Sequence, residues 1–156
     1  MAFPRANTIS YNGVAMTLIP ERLYENKDAA TIVSYAASEE LPPRLLGQLL
    51  LKIPDLGLRF RTAYDVAREA EGRKVPEYAI IAYKILTEFS KNAGASQVRD
   101  AGADFSKLVK ESEIGIDRAA KSFWKSIKMK NYKYTKENMR TLQRFFGLVD
   151  ALETLF

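Results

Sequence analysis

The chain reads as an all-α protein: a compact bundle of six to seven helices preceded by an N-terminal arm or short β-hairpin. Three observations predict this. From Asp28 onward apolar residues recur at three- and four-residue steps, prolines stand where one helix must stop and the next begin, and the intervening links are short. The expected organisation is therefore an arm or hairpin over residues 1–27 and a helical bundle over 28–156. At 156 residues, with 47% apolar and 28% charged side chains, the chain has the length and composition of one self-sufficient domain.

Within the arm, Thr8-Ile9-Ser10-Tyr11 and Val14-Ala15-Met16-Thr17-Leu18-Ile19 flank Asn12-Gly13, a pair suited to a tight hairpin turn. The alternation is imperfect and an isolated ribbon is marginal in water, so an extended arm stands beside the hairpin as a reading. Asp28 is placed to cap a first helix reaching about Glu40, and Pro42-Pro43 stops that helix and opens a second. Leu45, Leu46, Leu49, Leu50 and Ile53 form the apolar stripe of the second, which Pro54 ends.

Asp55 is the candidate cap of a third helix, over about 56–72, with Phe60, Ala63, Tyr64 and Ala67 facing inward and Gly72 at its end. Pro76 opens a fourth, in which Tyr78, Ile81, Ala82, Ile85 and Phe89 share a face until Asn92-Ala93-Gly94. Ser96 is placed to cap a fifth carrying Val98, Phe105, Leu108 and Val109, and Gly115 is expected to separate it from a sixth over about 116–130. Thr135 then caps the last helix, with Tyr134 and Met139 as its hydrophobic staple.

Cys and His are both absent. That removes disulfides, thiolate nucleophiles, Cys/His zinc sites and imidazole bases together. The acids Asp100, Asp104, Glu111, Glu113 and Asp117 are interspersed with Arg99, Lys107 and Lys110, as on a solvated helical face, and no glycine pattern matches a phosphate loop. A protein without catalysis, metal or cofactor is expected. No apolar run is long enough to span a bilayer and no leader pattern opens the chain, so a soluble cytoplasmic protein is expected.

The charge distribution is the informative feature. Arg118, Lys121, Lys125, Lys128, Lys130, Lys133, Lys136, Arg140 and Arg144 fall within 27 residues that contain one acid, Glu137, while the whole chain carries +5. On the sixth expected helix Ala119, Ala120, Phe123 and Ile127 lie to one side and Arg118, Lys121, Lys125 and Lys128 to the other. Like charges at four-residue spacing repel, which calls for an external anion. Trp124 sits at the border of the two faces, where it either completes the core or stacks on a base.

The link from Lys128 to Lys136 alternates cations with Tyr132 and Tyr134, a composition for gripping phosphates and stacking bases, or a loop whose tyrosines pin it to the bundle. The last helix repeats the design, with Leu142, Phe145, Phe146, Val149 and Leu152 on one side and Lys136, Arg140 and Arg144 on the other. Packed side by side as an antiparallel hairpin, the last two helices would make one cationic wall. Arg44, Lys52, Arg59 and Arg61 form a secondary basic line, which helix-dipole complementation and pairing to Asp65 or Glu69 would also explain.

Two runs, SFWKSIK at 122–128 and RTLQRFFGLVDALETLF at 140–156, resemble the small subunit of CRISPR effector complexes. More narrowly they are similar to the C-terminal helical region of the type I-D large subunit, which that system also makes as a free-standing protein. The resemblance covers about the last third of the chain. It implies a non-catalytic subunit in several copies within a guide-RNA-loaded complex, touching DNA or RNA backbones and other effector subunits, with sequence read by the guide. The positions that would carry this are the basic residues already named. The second class of function is a helical adaptor or phage-type inhibitor that sets its basic face against an acidic protein. Membrane binding ranks behind both, because the apolar side of the sixth expected helix is rich in alanine and is needed for the core.

Overall fold

The structure, a computed structural model, describes residues 8–11, 14–17, 29–92, 105–127 and 136–156. Among them are two short strands, β1 (Thr8–Tyr11) and β2 (Val14–Thr17), paired antiparallel with Tyr11 opposite Val14 and Thr8 opposite Thr17. Six α-helices follow: α1 (Ala29–Ser38), α2 (Pro43–Leu51), α3 (Leu56–Gly72), α4 (Pro76–Phe89), α5 (Phe105–Ser126) and α6 (Lys136–Leu155), with a 3₁₀ turn at Ser90–Asn92. The all-α bundle is as the apolar periodicity predicts. Asp28, Ser96, Tyr134, Thr135 and the Asn12-Gly13 turn lie outside the described residues.

Local chemistry explains most of the boundaries. Pro43 and Pro76 occupy the first turns of α2 and α4, where no intrahelical N–H bond is lost. Asp55 caps α3, its Oδ1 accepting from the Leu58 N–H at 2.9 Å. The ends of α1 and α3 are built alike. Leu41 N–H donates to Ala36 O and Glu40 N–H to Ala37 O, while Val75 N–H donates to Ala70 O and Lys74 N–H to Glu71 O. Both are Schellman caps, in which the residue after the cap is left-handed and is usually glycine. Here those residues are Glu40 (φ 51°) and Lys74 (φ 61°), each at a cost of roughly 1 kcal/mol relative to glycine. Gly72 ends α3 as expected, but Lys74 makes the left-handed turn.

α4 is the centre of the bundle. It packs most extensively on α5 and α3, then on α2, and its Ile81, Tyr83, Ile85 and Leu86 are wholly buried. Each such apolar side chain contributes about 2 kcal/mol of burial. The Tyr78 hydroxyl donates to Leu41 O at 2.6 Å and lies 3.0 Å from Ala36 O, so α4 also holds the α1–α2 connection. Burial, aided by nearby carboxylates, raises that phenol above its ordinary range.

Gly115 does not divide two helices. α5 runs through it without interruption. A β-carbon at this position would stand 2.5 Å from Cε2 of the buried Tyr83 ring, so the glycine is where α5 closes on α4. Gly47 serves α2 in the same way, since a β-carbon there would meet Leu155 Cδ1 of α6 at 2.3 Å. Small residues thus set which helices become neighbours: α5 lies on α4, and α6 lies mainly on α2.

Candidate nucleic-acid interface

The cationic residues of α5 and α6 divide into two groups. Lys121 and Lys125 are exposed on α5, and Arg140 is exposed on α6; among the described residues none of the three has an ion-pair partner. Arg118 and Arg144 are committed to carboxylates. Arg118 donates from Nε and Nη2 to both oxygens of Glu71 at 2.6 Å, and its Nη2 lies 3.4 Å from the Tyr83 hydroxyl. Arg144 donates to both oxygens of the buried Glu77, at 2.6 and 3.0 Å, and its guanidinium lies 5.6 Å from the Phe123 ring centroid.

These pairs are charge-assisted and bidentate, the strong form of the interaction. Hydrogen bonding to Glu71 raises the Arg118 pKa against a smaller desolvation effect, and the bond to Glu77 does the same for Arg144. Partial burial pushes the Glu71 carboxyl up, but hydrogen bonds from Arg118 and Tyr83 and the charge of Arg118 outweigh it and hold it below its ordinary value. Tyr83 donates to Glu71 and Tyr64 to Glu111, so hydrogen bonds tie α4 to α3 and α3 to α5 on this face. Arg118 and Arg144 thus differ from Lys121, Lys125 and Arg140 in holding a carboxylate partner within the fold.

The expected side-by-side packing of the last two helices is also corrected. Among the described residues α5 and α6 are not packed along their lengths; each is recruited by a different helix of the centre, and they meet where Phe123 and Trp124 approach Arg144 and Phe145. Trp124 is not a core residue. It is 62% exposed, with its ring centroid 6.1 Å from Phe145, which in turn lies 5.7 Å from Phe146. Phe146, expected on the inner side of the last helix, is 61% exposed, and Met139 is exposed on the same helix. The junction of α5 and α6 therefore presents flat aromatic surface to solvent, with Lys121 and Lys125 within one helical turn of Trp124.

Lys128, Lys130, Tyr132, Lys133 and Tyr134 lie outside the described residues, and Lys136 is placed only as the first residue of α6. The secondary basic line does not form a patch of its own. Arg44 Nε reaches toward Asp150 Oδ2 of α6 at 3.5 Å, and Arg59 donates to Ile53 O at 2.9 Å. Arg61 acts on Asp65, whose carboxyl burial holds above its ordinary value against the smaller opposing charges of Arg61 and Arg68, and Lys52 caps α2 through its backbone N–H. Of the expected pairings with Asp65 or Glu69, only that of Arg61 with Asp65 is found among the described residues; Arg44 and Arg59 are engaged elsewhere.

Sequence reasoning missed the exposure of Phe146 and Met139. Phe145-Phe146 held the available signal, since adjacent residues on a helix point about 100° apart and a narrow buried stripe holds only one of them. No group of acids that would hold a metal is present among the described residues, and none of their helices is long and apolar enough to cross a membrane. No protein-family model, curated protein or solved structure matches the chain.

Proposed function

We propose that this chain is a non-catalytic nucleic-acid-binding subunit of an RNA-guided interference complex of the CRISPR type, working in the cytoplasm against a target or displaced DNA strand and alongside other effector subunits. The observation that carries the binding reading is Trp124: a large indole held in solvent beside two exposed lysines that have no carboxylate partner among the described residues. An exposed indole next to cations suits a single strand, whose bases stack on the ring while its phosphates meet Lys121, Lys125 and Arg140. Such contacts are blind to sequence, as a guide-directed complex requires. The assembly itself rests on the resemblance of residues 122–128 and 140–156.

Trp124 is the sole tryptophan, so its fluorescence reports stacking directly. A single-stranded oligonucleotide is expected to quench it and to bind with a log-log salt slope near −3.5 for about five phosphates. Lys121→Glu with Lys125→Glu is expected to abolish retention while circular dichroism stays unchanged, and Trp124→Leu to weaken it about tenfold, the lower range for one stacked base. Retention of a labelled strand by the double variant at the wild-type level would sink the reading.

A second reading, an adaptor that docks an acidic protein, is favoured by one observation: Phe146 and Met139 extend the exposed surface with apolar rather than cationic groups. It predicts no strand retention at low salt and a stable complex with an acidic partner.

A further inference from the structure

A cleft of about 650 Å³ opens between the two Schellman connections and α6. The connection from α1 to α2 contributes Glu40 and Pro42, that from α3 to α4 contributes Lys74 and Val75, and α6 contributes Arg140 and Gly147. Of the charged groups lining it, Glu77 and Arg144 neutralise one another, and the Tyr78 hydroxyl is taken by Leu41 O. Lys74, Arg140 and Glu40 are exposed, and none forms an ion pair among the described residues. Two cations, one acid and the amide of Gln143 thus line a space whose apolar wall includes Pro42, Pro43 and Val75, large enough for a small organic ligand.

The backbone adds a second indication. Glu40 and Lys74 stand at the two positions where a Schellman cap favours glycine, and both are charged side chains turned into the left-handed region beside the same cleft. Strained residues that keep a functional side chain cluster at binding sites.

We infer that this cleft binds a nucleoside phosphate, its phosphate between Lys74 and Arg140, its sugar hydroxyls or base amine on Glu40, and its ring face against the Pro42 and Val75 wall. Lys121, Trp124 and Lys125 do not line it, so the inference stands apart from the strand-binding reading even though Arg140 serves both. The nucleotide is either free or the phosphorylated end of a strand.

The test uses the full chain with AMP as probe, followed by amide chemical shifts and titration calorimetry. AMP is expected to shift the Gly147 and Lys74 amides. Arg140→Ala is expected to weaken binding about tenfold, the loss of one charged hydrogen bond. Lys74→Gly is expected to weaken it comparably while melting at the same or a higher temperature, since glycine relieves the left-handed turn; a merely structural role would not separate the two readouts. Competition of AMP by an oligonucleotide with a 5′-phosphate, but not with a 5′-hydroxyl, assigns the site to strand ends; AMP binding without such competition assigns it to a free nucleotide. AMP that leaves Gly147 unshifted, or that binds Lys74→Gly and Arg140→Ala as it binds wild type, overturns the inference. Strand retention that persists in that case leaves the interface at Trp124 standing, whereas AMP binding in a protein that retains no strand removes only that interface.

Discussion

Helices α4 and α5 lie against one another and are built to opposite rules. Eleven of the fourteen residues of α4 are buried, against five of the twenty-two in α5. α4 is buried around most of its circumference because neighbours close on it from several sides, with the Lys84–Glu88 pair at its open edge, whereas α5 buries Phe105, Ser112, Gly115, Ala119 and Phe123, flanked by the half-buried Leu108, Val109, Ile116 and Ala120, and turns its other side to solvent. The difference separates stability from function. A helix surrounded by its own chain offers little surface beyond its first turn and one edge, whereas a helix held on one side presents more of its residues outward.

The comparison is broken most strongly by equal truncations on the two helices. Ile81→Ala on α4 removes a wholly buried side chain and is expected to cost about 3–4 kcal/mol in urea denaturation. Ile114→Ala on α5, where the side chain is 62% exposed, is expected to stay within about 0.5 kcal/mol. Equal losses would mean that α5 is held by more than its buried side.

Glycines sharpen the same contrast. Gly115→Ala drives a methyl into the enclosed Tyr83 ring, and a loss of about 2 kcal/mol is expected as α4 and α5 part. Gly147→Ala meets only Pro43 Cδ, at an ordinary 3.5 Å, so the gain in helix propensity wins and thermal melting is expected to rise by the equivalent of about 0.5–1 kcal/mol.

The smallest expected effect is on pH dependence. The Glu71 carboxyl is held below its ordinary 4.5 by Arg118 and Tyr83, so the stability it contributes is complete above that value and is lost as pH falls through the lower folded value. Urea midpoints measured from pH 6 down to 3 are expected to fall less steeply in Glu71→Gln than in wild type; parallel curves would show that the Arg118–Glu71 pair does not fasten α5 to α3.

Much of the fold was legible because its signals are local. Proline at the start of α2 and α4, Asp55 before α3, Gly72 at its end and the leucine periodicity of α2 each act through the nearest turn of backbone. Gly115 was misleading for the same reason: its local meaning is a break, and its actual role depends on a tyrosine 32 positions earlier in the chain. Arg118 and Arg144 looked free because Glu71 and Glu77 lie 47 and 67 residues away, beyond any spacing rule. The placement of Trp124 at a border between faces was readable; which side it took depended on where α6 settled.

The sequence by itself determined that this protein is helical, where most of its helices begin and end, and that its positive charge gathers near the carboxyl end, because propensity, capping and composition are properties of short stretches of chain. Tertiary structure alone decided which helices touch, which cations remain open, and that two charged left-handed turns flank one cleft. Those outcomes depend on close approach between distant segments, and close approach is governed by the shape that each side chain finds opposite it.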